Sequence, residues 1–340
     1  MLSDDISGAS VLGEGADARV ILCKNQFGQI FATKRYHADR QQKMNCESGF
    51  LLELSTDANV VRILGVSAPN LLFLEYCPST LAHLIKVPLA DDVLISHVLT
   101  LVSTFRDMHR KGFFHLDIKP ENILIRQDGT LAVADFSFAE RKPLASKWHG
   151  TQVTAAPEMW RAHLNDKSRI PFTFNCEKAD VFSLGATLIW LLNAAPLWPM
   201  ARLDCTPLVY HPLYYSYVKE GVLPKQTPRN RLLCRLWPIL RRMCRRNPDR
   251  RPSLDEVLRD IEDAQPLLPL APVPAPTAAP APAATAESPS VEEEVGSLGE
   301  VDTPTRPPPP IGEECLLFAT NTHADESFSS SESEEDRTRW

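Results

Sequence analysis

Short apolar runs separated by glycine, asparagine and proline dominate the first 76 residues, a pattern that predicts β-strands joined by turns. The clearest runs cover residues 20–23, 30–33 and 71–74, and a further buried strand is predicted over residues 59–64. Between them, residues 39–54 have apolar positions at helical intervals. The pattern therefore predicts a small β-rich lobe that contains one helix.

Helical patterns dominate the chain from there to residue 264. Leu94, Val98, Leu101 and Phe105 recur at helical intervals and predict a buried amphipathic helix over residues 93–112. Similar patterns cover residues 180–193, 231–246 and 253–264, and the sequence contains no internal repeat. Together the two parts predict an α+β fold, in which a small β-rich lobe precedes a larger helical lobe.

Composition changes sharply near residue 264. Residues 266–289 are mostly proline, alanine and leucine, and the remainder adds glutamate runs and an acidic serine cluster at residues 329–336. Such a segment buries too little apolar surface to offset its conformational entropy. Residues 265–340 are therefore predicted to form a disordered tail.

The tail contains three candidate interaction elements. Residues 315–318, Cys-Leu-Leu-Phe, could serve as a short docking element. Residues 306–310 fit either a flexible spacer or a polyproline helix for partners of the SH3 or WW type. The serines at 327, 329–331 and 333 lie among acidic residues, a context that acidophilic kinases favour, so the acidic tail is a candidate partner site.

Charge is distributed unevenly along the chain. The net charge is −7, of which residues 265–340 carry −11 and residues 1–264 carry +4. A body this weakly basic does not predict nucleic acid as the main ligand. No apolar run is long enough to span a membrane, and the first residues do not resemble a signal peptide. The expected location is intracellular, in the cytoplasm, the nucleus or both, with no membrane partner.

The strongest chemical pattern lies at residues 115–122, His-Leu-Asp-Ile-Lys-Pro-Glu-Asn. Asp117 is followed by a cation, Lys119, and by a carboxamide, Asn122, before an apolar run. Charged side chains between apolar runs are costly to bury unless they perform a task. Asp135 follows thirteen residues after Asn122, behind another strand-like run. These polar residues are the first candidates for catalysis and for metal binding.

Two weaker patterns precede the catalytic candidates. Gly13 and Gly15 form a turn whose backbone could lie close to phosphates, although such turns are common. Lys34 ends an apolar strand run and needs a carboxylate to hold it. Glu47 is the preferred partner, because residues 51 and 54 share its helical face, and Glu53 is the alternative.

In this order and spacing the motifs resemble the eukaryotic protein kinase superfamily, on its serine/threonine branch, over about residues 8–264. The resemblance implies a two-lobed fold, with the smaller lobe at about 8–76 and the larger at about 79–264. It implies protein substrates, with ATP and Mg²⁺ as cofactors. Lys119 and Thr151, before Ala156-Pro157-Glu158, match the serine/threonine branch.

The resemblance also implies roles for particular residues. Asp117 would orient the acceptor hydroxyl, Lys119 would steady the γ-phosphate, and Lys34, held by Glu47, would contact the α- and β-phosphates. Asn122 and Asp135 would bind Mg²⁺. Glu158 and Arg251 would form a buried ion pair, and Asp180 would hold the backbone of the catalytic loop. The nucleotide-binding residues implied are Leu12, Gly13, Gly15, Val20, Ala32, Lys34, Leu74, Glu75, Cys77 and Leu124.

The sequence departs from the family pattern at several positions. Leu116 replaces an arginine that normally grips a phosphate on the activation loop, which predicts weak dependence on phosphorylation there. Ser137 replaces the glycine of the Asp-Phe-Gly motif, and Ala18 replaces the third loop glycine. Residues 159–178 predict an inserted loop. The His-Leu-Asp form resembles that of Mos-like kinases and of some kinases of large DNA viruses. The compact kinase unit with its proline-alanine and acidic-serine tail is similar in style to herpesvirus proteins.

Two functions from different classes follow from these observations. The complete set Lys34, Glu47, Asp117, Asn122 and Asp135 favours an active serine/threonine kinase. The substitutions at Ala18, Leu116 and Ser137 are the argument for a pseudokinase scaffold, which would bind partners through its fold and its tail.

Overall fold

A computed structural model describes residues 10–67, 69–147, 150–159, 172–198, 212–224 and 231–264. All of these lie in one compact unit, residues 1–274. The predictions for the tail, including its disorder, therefore lie outside the described residues. No helix in the described ranges has the length and apolar character needed to cross a bilayer.

The smaller lobe is a twisted antiparallel sheet packed against one long helix. Its strands follow the order β1-β2-β3-β5-β4, which leaves β1 and β4 at the edges. The elements are β1 Val11–Glu14, β2 Ala18–Lys24, β3 Ile30–Tyr36, α1 Gln41–Glu53, β4 Ile63–Ser67 and β5 Leu71–Glu75. The sheet positions β3 and its lysine between the loop that joins β1 to β2 and helix α1.

The predicted strand over residues 59–64 was wrong in its position. Val60 and Val61 are buried as expected, but they precede the strand, and Leu64 is exposed. The backbone N–H of Val61 donates to the carbonyl of Val133 at 2.9 Å. This segment therefore pairs with the larger lobe, and β4 begins only at Ile63.

The larger lobe is mainly helical, and it also contains a three-stranded and a two-stranded sheet of short strands. It contains β6 Ser79–Thr80, α2 Leu81–Leu84, α3 Asp91–Arg110, β7 Ile123–Ile125, β8 Leu131–Val133, β9 Leu144–Ala145, β10 Phe174–Asn175, α4 Cys176–Asn193, α5 Pro212–Glu220, α6 Arg231–Met243 and α7 Leu254–Ala264. The predicted helices are confirmed with shifted ends. Residues 165–168 of the predicted insertion lie outside the described residues.

Helix α4 forms the centre of the larger lobe, where nearly all of its residues are buried. The side chain of Asn175 caps its first turn by accepting from the backbone N–H of Lys178 at 3.0 Å. Helices α3 and α6 pack against α4, and α7 packs against α3 and α6. This rigid base carries the loop at residues 115–122 and the short strands β7 and β8.

Candidate active site

Lys34 on β3 reaches two carboxylates that come from different parts of the chain. Its ammonium donates to Glu47 Oε2 at 2.8 Å and to Asp135 Oδ1 at 2.8 Å. Glu47 lies on α1, and Asp135 follows β8. Glu53, the alternative partner, is ion-paired with Arg141 instead. Lys34 therefore pairs with Glu47 and not with Glu53, while the catalytic role of this pair stays a prediction.

Burial and pairing shift the pKa values of this cluster in opposite directions. Burial raises the pKa of Glu47 to about 7, although Lys34 opposes the shift. Burial alone would lower the pKa of Lys34, but Glu47 and Asp135 raise it well above its usual value. Burial alone would raise the pKa of Asp135, but the Lys34 ammonium and the Ser137 hydroxyl hold that pKa far below its usual range. Lys34 therefore remains charged, and so does Asp135.

Tyr36 is a member of this cluster that sequence reasoning missed. It lies two residues beyond Lys34 on β3, and it is 1% exposed. Its hydroxyl donates to Glu47 Oε2, the same oxygen that Lys34 contacts. The Lys34 ammonium also lies 5.2 Å from the centroid of the Tyr36 ring. The alternation of side chains along β3 places both residues on one face, but that alone does not reveal the shared acceptor.

A second polar network surrounds Asp117. Its Oδ1 accepts from the Thr151 hydroxyl at 2.8 Å, and its Oδ2 accepts from Lys119 at 2.7 Å and from Asn122 Nδ2 at 3.0 Å. Lys119 also donates to the Thr151 oxygen at 2.8 Å. Asp117 is only 2% exposed, so these hydrogen-bond donors fix the orientation of its carboxylate. The arrangement presents a carboxylate and an ammonium side by side.

The backbone that carries Asp117 is held from below by Asp180 of α4. Its carboxylate accepts from the N–H groups of His115 at 2.7 Å and of Leu116 at 2.8 Å. Leu116 has a positive φ of 61°, a conformation that is costly for a residue with a side chain. These two hydrogen bonds confirm that Asp180 holds the backbone of this loop, as predicted. They also offset the conformational cost of the positive φ at Leu116.

The two residues expected to bind Mg²⁺ offer oxygen ligands that suit a hard cation. Asn122 uses its Nδ2 for the Asp117 carbonyl at 2.9 Å and for the Asp117 carboxylate, which leaves its amide oxygen available. Asp135 also has a positive φ, 65°, which turns its carboxylate away from regular strand geometry toward Lys34. A carboxylate oxygen and an amide oxygen are ligands that Mg²⁺ prefers.

Most residues expected to contact the nucleotide lie on the five-stranded sheet of the smaller lobe. Ala32 pairs with Leu74 across β3 and β5, and Val20 pairs with Lys34 across β2 and β3. Leu12 and Gly13 lie on β1, and Leu124 lies on β7. The five-stranded sheet brings Leu12, Gly13, Val20, Ala32, Lys34 and Leu74 together, whereas Leu124 lies on the separate β6-β7-β8 sheet of the larger lobe. Contacts of these residues with adenine and phosphate remain a prediction.

Glu75, at the end of β5, has a role that sequence reasoning did not find. Its carboxylate accepts from Arg126 at 2.8 Å and from the backbone N–H of Arg62 at 2.9 Å. Arg126 also donates to the Val60 carbonyl at 3.0 Å. The side chain of Glu75 thus joins the two lobes. Binding of adenine by the backbone groups of Glu75 and Cys77 stays a prediction.

Phe136 packs between the two lobes. Its ring stacks at 6.5 Å on Phe50 of α1 and lies 5.0 Å from the ring of His115. Farther along the same segment, the Arg141 guanidinium lies 4.7 Å from the Phe113 ring and 5.4 Å from the Phe50 ring. The segment after Asp135 is therefore fastened to α1 by stacking and by charge.

The segment that ends at Glu158 is anchored in the larger lobe. Glu158 accepts from Arg251 at 2.5 and 2.7 Å, and the Arg251 side chain is fully buried. Their predicted ion pair is confirmed. It fixes the end of the segment that begins at Gly150 and Thr151 next to Asp117.

Comparison with known proteins places these features in one family. The family model described as protein kinase domain matches residues 7–261. Cyclin-dependent kinase-like 4 of Mus musculus is 26% identical, over 74% of this chain and 72% of its own length. A Wee1-like protein kinase of Arabidopsis thaliana is 29% identical, over 73% of this chain but only 47% of its own length.

A third relative is Aurora kinase of Schizosaccharomyces pombe, 26% identical over 73% of this chain and 68% of its own length. The predicted similarity to Mos-like and herpesvirus kinases is not tested by these matches and stays a prediction. The two-lobed architecture, the paired Lys34 and Glu47, and the network around Asp117 agree with the family match. This chain belongs to the protein kinase family.

Proposed function

We propose that the protein is an active serine/threonine kinase, which transfers the γ-phosphate of Mg-bound ATP to hydroxyl groups of protein substrates. The observation that carries this proposal is the network in which Thr151, Lys119 and Asn122 all donate to the Asp117 carboxylate. Phosphoryl transfer needs an oriented acceptor and neutralised phosphate charge more than it needs covalent help from the protein.

Each charged residue then has a defined task. Asp117 orients the acceptor hydroxyl and takes its proton, while Lys119 stabilises negative charge on the transferred phosphoryl group. Lys34, held by Glu47, binds the α- and β-phosphates. Asn122 and Asp135 would hold Mg²⁺, whose charge would neutralise that of the phosphates.

The acceptor class is inferred from Thr151. Its hydroxyl donates to Asp117 and accepts from Lys119. Thr151 and Lys119, both typical of the serine/threonine branch, therefore leave less space for the acceptor beside the Asp117 carboxylate. The name of one relative in Drosophila melanogaster describes a tyrosine- and threonine-specific kinase, 25% identical to this chain. Acceptor specificity therefore has to be measured directly.

The purified full chain, incubated with Mg-ATP and a generic basic protein substrate, tests catalysis. We expect phosphoserine and phosphothreonine, but not phosphotyrosine, by mass spectrometry. Asp117→Ala should abolish the signal, whereas Asp263→Ala, an exposed acid at the end of α7, should not change it. Equal signal from the parent protein and Asp117→Ala would instead support the pseudokinase scaffold.

We also propose that activity depends little on activation-loop phosphorylation. Leu116 is apolar and 1% exposed, so it offers no bidentate partner to a phosphate on that loop. Ser146→Ala combined with Thr154→Ala, and phosphatase treatment of the parent protein, should leave kcat/KM largely unchanged. A loss beyond about tenfold, or about 1.4 kcal/mol of barrier, in folded protein would refute the idea.

Partners beyond protein substrates stay predictions. The docking elements at residues 306–310 and 315–318 and the acidic serine cluster lie outside the described residues. Deleting residues 265–340 and comparing activity, bound proteins and cellular location would test whether they contribute.

A further inference from the structure

The loop between β1 and β2, which the proposed function places over the ATP phosphates, carries a carboxylate. Asp17 lies between Gly15 and Ala18, at the turn into β2. A free carboxylate at this position would repel a triphosphate, since like charges a few ångströms apart disfavour one another. The contacts of Asp17 therefore decide how this loop can serve a nucleotide.

Two cations form ion pairs with the Asp17 carboxylate, one with each oxygen. Lys43 Nζ lies 2.5 Å from Asp17 Oδ2, and Arg40 Nε lies 3.1 Å from Asp17 Oδ1. The Asp17 side chain is 22% exposed and that of Lys43 is 30% exposed, so solvent screens the pair only in part. The negative charge in the loop is thereby neutralised by residues of the segment leading into α1 and of α1 itself.

Backbone contacts hold the same turn. The N–H of His37 donates to the Asp17 carbonyl at 2.9 Å, and the His37 ring lies 3.4 Å from the Gly15 carbonyl. Ala18 packs with Tyr36 and Met44 in a small buried cluster. The loop is thus held against the end of β3 and the beginning of α1.

Lys43 makes a second contact that extends the link. Its ammonium lies 4.1 Å from the centroid of the Phe138 ring, three residues beyond Asp135. Lys43 also precedes Glu47 by four residues, so both project from the same face of α1. One side chain therefore touches the phosphate loop and the segment that follows Asp135, and it belongs to the helix that holds Lys34.

We infer that Lys43 is a positioning residue for the nucleotide, which fixes the phosphate loop through Asp17 and aligns it with α1 and with the segment after Asp135. This inference rests on the proposed function of the cleft. Lys43 does not touch the phosphates. It neutralises the negative charge of Asp17, which would otherwise repel them, and it holds the loop in place.

Mg-ATP binding to the purified full chain, measured by calorimetry, tests this role apart from phosphate transfer. Lys43→Met keeps the apolar stem but leaves Asp17 with Arg40 alone, and we expect the Kd to rise about fivefold. Asp17→Asn should raise the Kd less, about twofold, because it removes the repelling charge together with the ion pair.

The double variant separates positioning from general destabilisation. If Asp17 repels the nucleotide once Lys43 is lost, Asp17→Asn should partly restore binding to Lys43→Met, and Lys43→Arg should bind like the parent protein. Lys86→Met removes an exposed lysine on another part of the surface and serves as the matched control. In kinetic assays KM for ATP should rise while kcat changes by less than about twofold.

Hydrogen exchange provides a readout that needs no nucleotide. Lys43→Met should speed exchange in residues 13–19 and leave α3 unchanged. The inference is overturned if the Kd and the exchange of residues 13–19 match the parent protein, or if the losses from Lys43→Met and Asp17→Asn simply add. An inactive parent protein that shows the expected binding and exchange changes would refute the proposed catalysis and still support this role of Lys43.

Discussion

Glu47 is fully buried, and its carboxylate is shared by Lys34 and Tyr36. Burial raises its pKa to about 7 from an ordinary 4.5, so it changes charge near neutral pH. A protonated Glu47 holds Lys34 only weakly, which would free the lysine from its phosphate-binding position. The residue therefore links nucleotide affinity to pH.

We predict that KM for ATP rises as the pH falls through about 7, because Glu47 becomes protonated. Tyr36→Phe removes a donor to the ionised carboxylate and should move this acid limb to higher pH. The measurement is KM for Mg-ATP from pH 5.5 to about 8.5 in both proteins. Phosphate groups themselves titrate near pH about 6, so the difference between the two profiles carries the test.

Protonation of Glu47 does not itself destabilise the fold. Between pH 4.5 and about 7 the folded protein binds the Glu47 proton more tightly than the unfolded chain does. Stability contributed by this group therefore increases as the pH falls. Coincident acid limbs in the parent protein and Tyr36→Phe would contradict the assignment.

Gly150 is the residue at which backbone shape and catalysis meet most closely. It has a φ of +98°, and a Cβ added there would lie 2.5 Å from the Leu116 carbonyl. We predict that Gly150→Ala lowers kcat/KM by more than about tenfold, because either Leu116 or Thr151 must move away from Asp117. Steady-state kinetics together with a thermal melt would measure the effect.

Gly129 offers a matched control for Gly150. It also has a positive φ, +83°, but no atom lies within 4 Å of an added Cβ. Gly129→Ala should therefore cost about 1 kcal/mol of stability through backbone strain and leave kcat/KM unchanged. Similar losses of activity in the two variants would show that strain, and not contact with the catalytic loop, is responsible.

Helix α1 is the element on which the smaller lobe depends, and Arg141 fastens it from the segment after Asp135. The guanidinium contacts Phe50 and Phe113 and pairs with Glu53. Cation–π contacts at partly exposed sites contribute about 0.5–1 kcal/mol each. Arg141 thus supplies a hold on α1 that requires no phosphate.

We predict that Arg141→Met speeds hydrogen exchange in α1 and lowers the stability of the protein by about 1–2 kcal/mol. Glu53→Gln removes only the half-exposed ion pair and should cost less, about 0.5 kcal/mol. Exchange rates and urea midpoints of both variants would be compared with those of the parent protein. Unchanged exchange in α1 of Arg141→Met would rule out this hold.

Element types followed from the sequence wherever the pattern was local. Apolar periodicity predicted α1 and α3, and short apolar runs bounded by turn residues predicted β2, β3 and β5. The strand over residues 59–64 was misplaced because burial of Val60 and Val61 has the same signature whether the partner is a sheet or the neighbouring lobe. Register between lobes is a long-range property that a single segment does not encode.

The same limit applies to the active site. Asp117, Lys119 and Asn122 lie within six residues, so their spacing alone indicated a shared task. The pair of Asp17 and Lys43 spans 26 positions and brings a loop and a helix together. Nothing in either segment singles out that partner, because surface lysines and aspartates are common and most stay solvated.

Two arginines that are largely or fully buried, Arg126 and Arg251, join separate parts of the described chain. Arg126 joins the hairpin of β7 and β8 to Glu75 of the smaller lobe. Arg251 joins the segment ending at Glu158 to α4, where its guanidinium also lies 5.0 Å from the Phe182 ring. Both connect parts of the chain that are far apart in sequence, and so both contribute to the cooperativity of folding.

Arg251 has more partners than its carboxylate alone. It donates to the carbonyls of Lys178 and Arg245 at 2.7 Å as well as to Glu158. Removing one member of a buried ion pair costs about 3–5 kcal/mol, since the other charge is left without compensation. We predict that Arg251→Met destabilises the protein by that amount, measured by urea unfolding of the full chain.

Arg251→Met combined with Glu158→Leu distinguishes the ion pair from the carbonyl contacts. If the cost arises from the uncompensated carboxylate, the double variant should recover a large part of the stability, because an apolar pair of similar volume is often neutral. Recovery should remain incomplete, since the Lys178 and Arg245 carbonyls still lose their donor. A double variant no more stable than Arg251→Met would assign the role of Arg251 to those carbonyls, and Glu158→Leu alone should then be nearly harmless.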